Sequence, residues 1–201
     1  MKTVSSDLQA GQDEPKAIRA DAQRSLDALL QAAKEVFAAS GVNAPIRDIA
    51  GKAGLGVGTV YRHFPQRSDL IAAVFRREID ECADAAVDLA EQHEPYDALR
   101  QWMQRFSAFF ATKRGLASAL HSGEPAYATL PDHFEARLRP ALQHLLATAV
   151  DAGQVRSDIT ASELLGAIAR LSMSEVDEPV QAQRMVALLA DGLRRQIVGN
   201  G

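Results

Sequence analysis

Apolar positions recur at helical spacing nearly throughout the chain, and no convincing alternating run interrupts them. Leu26, Leu29, Leu30, Ala33 and Phe37 trace one face of a first helix that Gly41 ends. A short helix follows over Ile46 to Ala53, with Ile49, Ala50 and Ala53 on one side and Pro45 suited to its first turn. Another opens at Val57: Val57, Val60 and Phe64 recur at i, i+3 and i+7, and Pro65 stops it. A long helix over Ser68 to His93 turns Leu70, Ile71, Val74, Phe75, Ile79, Cys82 and Ala86 inward. Five more are predicted at Tyr96 to Lys113, Leu116 to His121, Asp132 to Ala152, Thr160 to Met173 and Pro179 to Val198. Gly or Pro punctuates their connections, and Val176-Asp177-Glu178-Pro179 makes an acidic break before the last. Residues 1 to about 20 read as a polar tail with few apolar anchors. The prediction is an all-α fold.

The helix opened at Val57 has only about two turns and buries little. Its far side carries Gly58, Thr59, Tyr61, Arg62 and His63, polar and aromatic groups that a purely structural helix has no use for. Gly54 supplies a left-handed turn between the two short helices, and Ala50 and Gly54 are small enough for the steep crossing of a helix-turn-helix spanning about residues 45–64. The glycines at 54, 56 and 58 superficially echo a dinucleotide-binding loop. That loop needs a preceding hydrophobic strand, and the flanks here have helical periodicity.

Charge sharpens the picture. The chain carries a net charge of −4, yet residues 16–77 hold ten basic and five acidic side chains, and residues 78–201 hold eleven basic and eighteen acidic. A positive head on a negative body suits local attraction of phosphate, although solvated charge also segregates by chance. Composition is ample for a core, at 47% hydrophobic. No apolar stretch approaches the ~18 residues of a membrane span, and the first residues lack the apolar centre of a signal peptide, so a cytoplasmic protein with no membrane partner is expected. Cys82 is the single cysteine, which excludes an internal disulfide and a multi-cysteine zinc site; a buried small residue is its expected role, a redox sensor the alternative. The five histidines show no zinc-binding spacing, and no nucleophile elbow or phosphate loop occurs, so neither a metal site, a cofactor nor a catalytic residue is assigned.

In order along the chain stand Leu29-Leu30-x-Ala32-Ala33-x-x-x-Phe37, Gly41, Asp48-Ile49-Ala50-x-x-Ala53-Gly54, Gly58-Thr59-Val60-Tyr61-x-His63-Phe64 and Asp69-Leu70. This series resembles the TetR family of transcriptional regulators over about Arg24 to Phe75. The resemblance implies a three-helix DNA-binding head (residues 21–67) after a flexible tail (1–20), and a larger helical effector-binding and dimerisation body (68–201). It implies a non-enzymatic regulator, a repressor released from a palindromic operator in double-stranded DNA. An all-helical small-molecule binding protein or enzyme without DNA binding is the alternative reading.

The same resemblance gives each exposed residue a task. Tyr61 offers its hydroxyl to a phosphate, or else packs as a half-buried ring. Thr59 presents a methyl and a hydroxyl to base edges or phosphate; Arg62 pairs with a guanine or contacts a phosphate. His63 donates to a phosphate or closes its helix. Arg67 stands where the family usually has lysine and keeps the charge of a phosphate clamp. Arg47 is a further phosphate candidate, and Gly58 permits close backbone approach. Lys16, Arg19 and Arg24 form an arm or are simply solvated. Two departures stand out: Gly41 to Ile49 is one residue shorter than the commonest family form, and Pro45 replaces the usual hydroxyl residue, whose contact is lost. Amides near Ile46 and Arg47 are the substitutes. This shortening and Val57-Gly58-Thr59-Val60-Tyr61-Arg62-His63-Phe64-Pro65 resemble an actinobacterial-style branch.

A single recognition helix reads few base pairs, so a homodimer is expected. Leu164, Ile168 and Leu171 with Met185, Leu189 and Leu193 are assigned to a four-helix interface, the alternative being that they fill the chain's own core. Seven of the eleven aromatics lie between residues 96 and 134. Trp102, Phe106, Phe109, Phe110, Tyr127 and Phe134, with His121, are therefore the candidates for a small, largely apolar effector, or else they are core.

Overall fold

The computed structural model describes residues 14–111, 123–172 and 179–195. The predicted helix Leu116 to His121, His121 itself, the acidic break before Pro179 and the side chains of Lys16 and Arg19 lie outside what is described. Eight α-helices occur among the described residues: α1 (Glu14–Ser40), α2 (Ile46–Ala53), α3 (Val57–His63), α4 (Arg67–Gln92), α5 (Pro95–Ala111), α6 (Leu130–Asp151), α7 (Ala161–Ser172) and α8 (Pro179–Leu193). A 3₁₀ turn, Pro125–Tyr127, precedes α6. The all-α expectation holds.

The chain divides into two compact units, one through Leu70 and one from Ile71. In the first, α2 packs on α1 and α3 on α2. Leu29, Ala33, Ile49, Ala50 and Val60 are buried, as their helical spacing predicts. Lys52 Nζ lies 2.8 Å from Glu35 Oε2, an exposed pair between α2 and α1. α1 starts at Glu14, inside the segment expected to be tail, because alanine-rich sequence after Pro15 extends the helix backward.

In the second unit, α5 packs against α6, α7 and α8 around Leu99, Trp102, Met103, Phe106, Leu138, Leu142, Leu145, Leu164 and Ile168. Burying one such side chain is worth about 1.5–3 kcal/mol, so this run of large apolar groups holds the unit together. Polar groups inside it are satisfied: the Trp102 indole donates to the Cys82 carbonyl at 2.8 Å, and the Ser172 and Ser107 hydroxyls bond at 2.8 Å. Cys82 is buried and free. Thr160 and Glu163 cap α7 reciprocally, the Thr160 amide donating to the carboxylate at 2.8 Å and the Glu163 amide to Oγ1 at 3.2 Å. α8 stops at Leu193, short of the predicted Val198, because Arg194 leaves the helix to form an antiparallel bridge with Val155, and the Arg156 amide takes the Leu193 carbonyl at 3.0 Å.

Candidate nucleic-acid interface

Two short helices and three glycines build the face. Gly54 ends α2 with φ +68°, its amide donating to the Ala50 and Gly51 carbonyls, and the Leu55 amide reaches the Ala50 carbonyl at 2.9 Å. Gly56, in extended conformation, opens α3; the Thr59 and Val60 amides bond to its carbonyl at 2.9 and 3.3 Å. The Phe64 amide closes the helix on the Val60 carbonyl at 2.8 Å, ahead of Pro65. Val60 is the one fully buried residue of α3. Everything else on this helix is exposed or half-buried.

That exposed surface contains the predicted residues. Tyr61 is 51% exposed, which removes the packing role as its main task. Arg62 and His63 are exposed and Thr59 is half-buried. A Cβ placed on Gly58 would meet nothing within 4 Å, so this turn of α3 is open to a close partner. Arg47, near the start of α2, is exposed, with its Nε 3.5 Å from Asp48. Thr59, Tyr61, Arg62 and His63 follow one another on α3, so the fold brings them together.

Three expectations need correction. Val57 was assigned to the inward stripe but is 40% exposed. A helical side chain covers the turn preceding its own Cα, and for this first residue that turn is the Leu55–Gly56 link, which offers no core. Pro45 precedes α2 as its extended N-cap rather than sitting in the first turn, and it makes no side-chain cap. Arg67 turns inward: its Nη1 donates to the carbonyls of both Val42 and Ala44 at 2.8 Å.

Residues 29–74 match the domain described as Bacterial regulatory proteins, tetR family, and residues 94–195 match Transcriptional regulator SbtR-like, C-terminal domain. The crystal structure of a TetR transcriptional regulator from Streptomyces coelicolor shares 36% identity, covering 85% of this chain and 98% of that one with a TM-score of 0.71. The chain belongs to the TetR family. A second TetR protein, from Mycobacterium vanbaalenii, is also 36% identical, with 89% and 99% of the two chains covered and a TM-score of 0.70. An HTH-type transcriptional regulator of Staphylococcus aureus is 27% identical over 108 residues, so the chain spans only 58% of that relative's length. TetR proteins are transcriptional regulators that bind DNA, not enzymes.

In this TetR-family chain the aromatic residues between 96 and 134 form a cluster. Trp102 and Phe106 are fully buried and stack with centroids 5.4 Å apart, and Phe110 meets Phe106 edge-on at 5.1 Å. Phe109 and Phe134 join the cluster, half-buried, at 6.3 and 5.8 Å from Phe106. Tyr127 is buried in the 3₁₀ turn. A separate open cleft of about 540 Å³ is lined by Arg156, Ser157, Asp158, Arg194 and Arg195 among others, and by none of the predicted effector residues. No helix among the described residues is long and apolar enough to cross a membrane, and no group of metal-binding side chains gathers among them.

The interface assignment splits in two. Leu164 and Ile168 are 0% exposed and Leu193 3% in the single chain, so they belong to its own core and have no surface left for a second copy. Leu171, Met185 and Leu189 are half-buried. The outward apolar residues of α8 are Val180 and Leu188, at 79% and 56% exposure. Leu188 stands eight residues from Val180 and three from Met185, a helical spacing visible in the sequence.

Proposed function

We propose that this TetR-family chain is a homodimeric, sequence-specific DNA-binding repressor acting in the cytoplasm, which reads a palindromic operator with α3 and is released by a small, largely apolar effector. One observation carries the reading: a seven-residue helix that buries only Val60 holds out Thr59, Tyr61, Arg62 and His63 together, with open space at Gly58. Such a helix is unstable alone and contributes little to a core, so its exposed face is what it offers. Thr59 and Arg62 suit base edges; Tyr61, His63 and Arg47 suit phosphate oxygens, which set register without specifying sequence.

The unit through Leu70 is assigned DNA binding, and the unit from Ile71 effector binding and dimerisation. The surplus of positive charge in residues 16–77 supports the first assignment. The exposed apolar residues of α8 support pairing through that helix, with Val180, Leu188, Leu189, Met185 and Leu171 replacing the core residues first expected. The aromatic cluster on α5 supports an apolar effector, whose binding would favour a head spacing unable to fit the operator.

The test is operator binding by Tyr61→Phe and Thr59→Ala, on duplexes selected from genomic fragments retained by the protein. Tyr61→Phe is expected to weaken all sequences alike, and Thr59→Ala to relax preference at one base pair of each half-site. Unaltered binding by both variants would count decisively against α3 as the reading helix.

A further inference from the structure

The chain enters α2 through a tight turn. Gly41 ends α1 at φ +76°, the Ala44 amide bonds back to the Gly41 carbonyl at 3.2 Å, and Pro45 follows without a capping side chain. Val42 and Ala44 bury their side chains, at 7% and 4% exposure, so this turn is part of the head's interior. Both of its inner carbonyls, Val42 and Ala44, accept from one nitrogen, Arg67 Nη1, at 2.8 Å each. An Nη carries two hydrogens, and both are used.

Arg67 itself is held from the other side. It is the first residue of α4, three positions beyond Phe64, which caps α3. The Gln66 amide donates to Asp69 Oδ2 at 3.1 Å and the Asp69 amide to the Gln66 carbonyl at 3.2 Å, fixing the first turn of α4 from which Arg67 projects. One guanidinium thus ties the segment that enters the helix-turn-helix to the segment that leaves it. Charged donors make the stronger hydrogen bonds, and arginine's planar fork loses little freedom in making two.

We infer that Arg67 is a positioning residue that sets α3 by buckling the two ends of residues 45–64, and that it is not a phosphate contact. This rests on the DNA-binding reading above. A phosphate contact releases counterions, so losing one lowers the steepness of log K against log salt by about 0.9; losing a positioning residue weakens binding and leaves the slope alone.

The experiment measures operator affinity of the full-length protein against salt for wild type, Arg62→Gln, Arg67→Gln and Arg67→Lys, with amide hydrogen exchange of each. Arg62→Gln serves as the reference for a direct contact. Arg67→Gln is expected to bind on the order of tenfold more weakly at every salt concentration, as loss of a charge-assisted bond implies, with the wild-type slope. Its amides in residues 42–48 and 57–63 exchange faster, whereas Arg67→Lys, whose ammonium also has donors for both carbonyls, recovers most of the affinity. A slope reduced by about one with unchanged exchange would overturn the inference, and so would undiminished affinity. Should Arg67→Gln fail to fold, guanidinium nitrogen NMR on the wild type decides. Restricted rotation of the Arg67 head in the free protein, unchanged by operator, is the expected result; free rotation that is arrested only on DNA overturns it. If no DNA binds to the wild type, the DNA-binding reading fails by itself, and the exchange data still report on the buckle.

Discussion

Replacing Gly58 by alanine should make the protein more stable and a poorer DNA binder, and replacing Gly54 by alanine isolates the first effect. Gly58 lies within α3 at helical dihedrals, and an added Cβ would meet nothing within 4 Å, so packing neither gains nor loses. What remains is backbone entropy, which favours alanine over glycine in a helix by about 0.5–1 kcal/mol, toward the low end so near the helix start. For a chain of this size that raises Tm by roughly 1–4 °C. Gly54 also has open space around it, but its φ of +68° is a left-handed conformation costing an L-residue about 1–2 kcal/mol, so Gly54→Ala should lower Tm by a similar or larger amount. Calorimetry reads both signs, and fluorescence anisotropy with an operator duplex reads affinity. Gly58→Ala puts a methyl where the duplex backbone would approach, so its affinity should fall although its stability rises. A Gly58→Ala protein less stable than wild type would refute the helical geometry assigned to α3; one that binds operator undiminished would refute close approach at Gly58.

Leu164→Ala should cost about 2.7–5 kcal/mol in chemical denaturation, as removal of a fully buried leucine does, without dissociating copies. Leu188→Glu should leave the chain's own fold intact and give monomers by light scattering; a surviving dimer would remove α8 from the interface. The Arg156 guanidinium beside Asp158 holds that carboxyl down to about 2, from an ordinary value of 3.8. A depressed carboxyl stabilises the fold above its unfolded pKa and ceases to as pH falls through the native one. The stability difference between wild type and Arg156→Met should therefore be constant above pH 3.8 and vanish as pH approaches about 2, measured by urea melts along that range.

The helix-turn-helix was legible because its signals are local. Gly54 at a left-handed position, Pro65 as a stop and Val60 facing Ile49 each follow from neighbours within a few residues, and α2 and the end of α3 fall where those signals put them. Other features depend on what lies across space. α7 and α8 are apolar on more than one side, and spacing alone does not say which stripe meets α5; Leu164, Ile168 and Leu193 turned out to be that stripe, leaving Val180 and Leu188 outside. Arg67 reads in sequence as a free positive charge, because the carbonyls that engage it are 23 and 25 residues away. The start of α1 at Glu14 was hidden by the polarity of residues 14–20, which sets exposure but does not prevent helix formation in alanine-rich sequence. Trp102 and Phe106 were correctly singled out as a cluster, and their full burial reflects the packing of α5 against three other helices.

The central claim is that α3 with its flanking positive charge grips the phosphate backbone of a specific operator. Its most direct test is the salt dependence of wild-type affinity for that operator. Several phosphate contacts predict a straight, steeply negative plot of log K against log salt, with a loss of roughly 10³-fold or more between 50 and 200 mM for a dimer making about six contacts. A flat response over that interval would contradict the account.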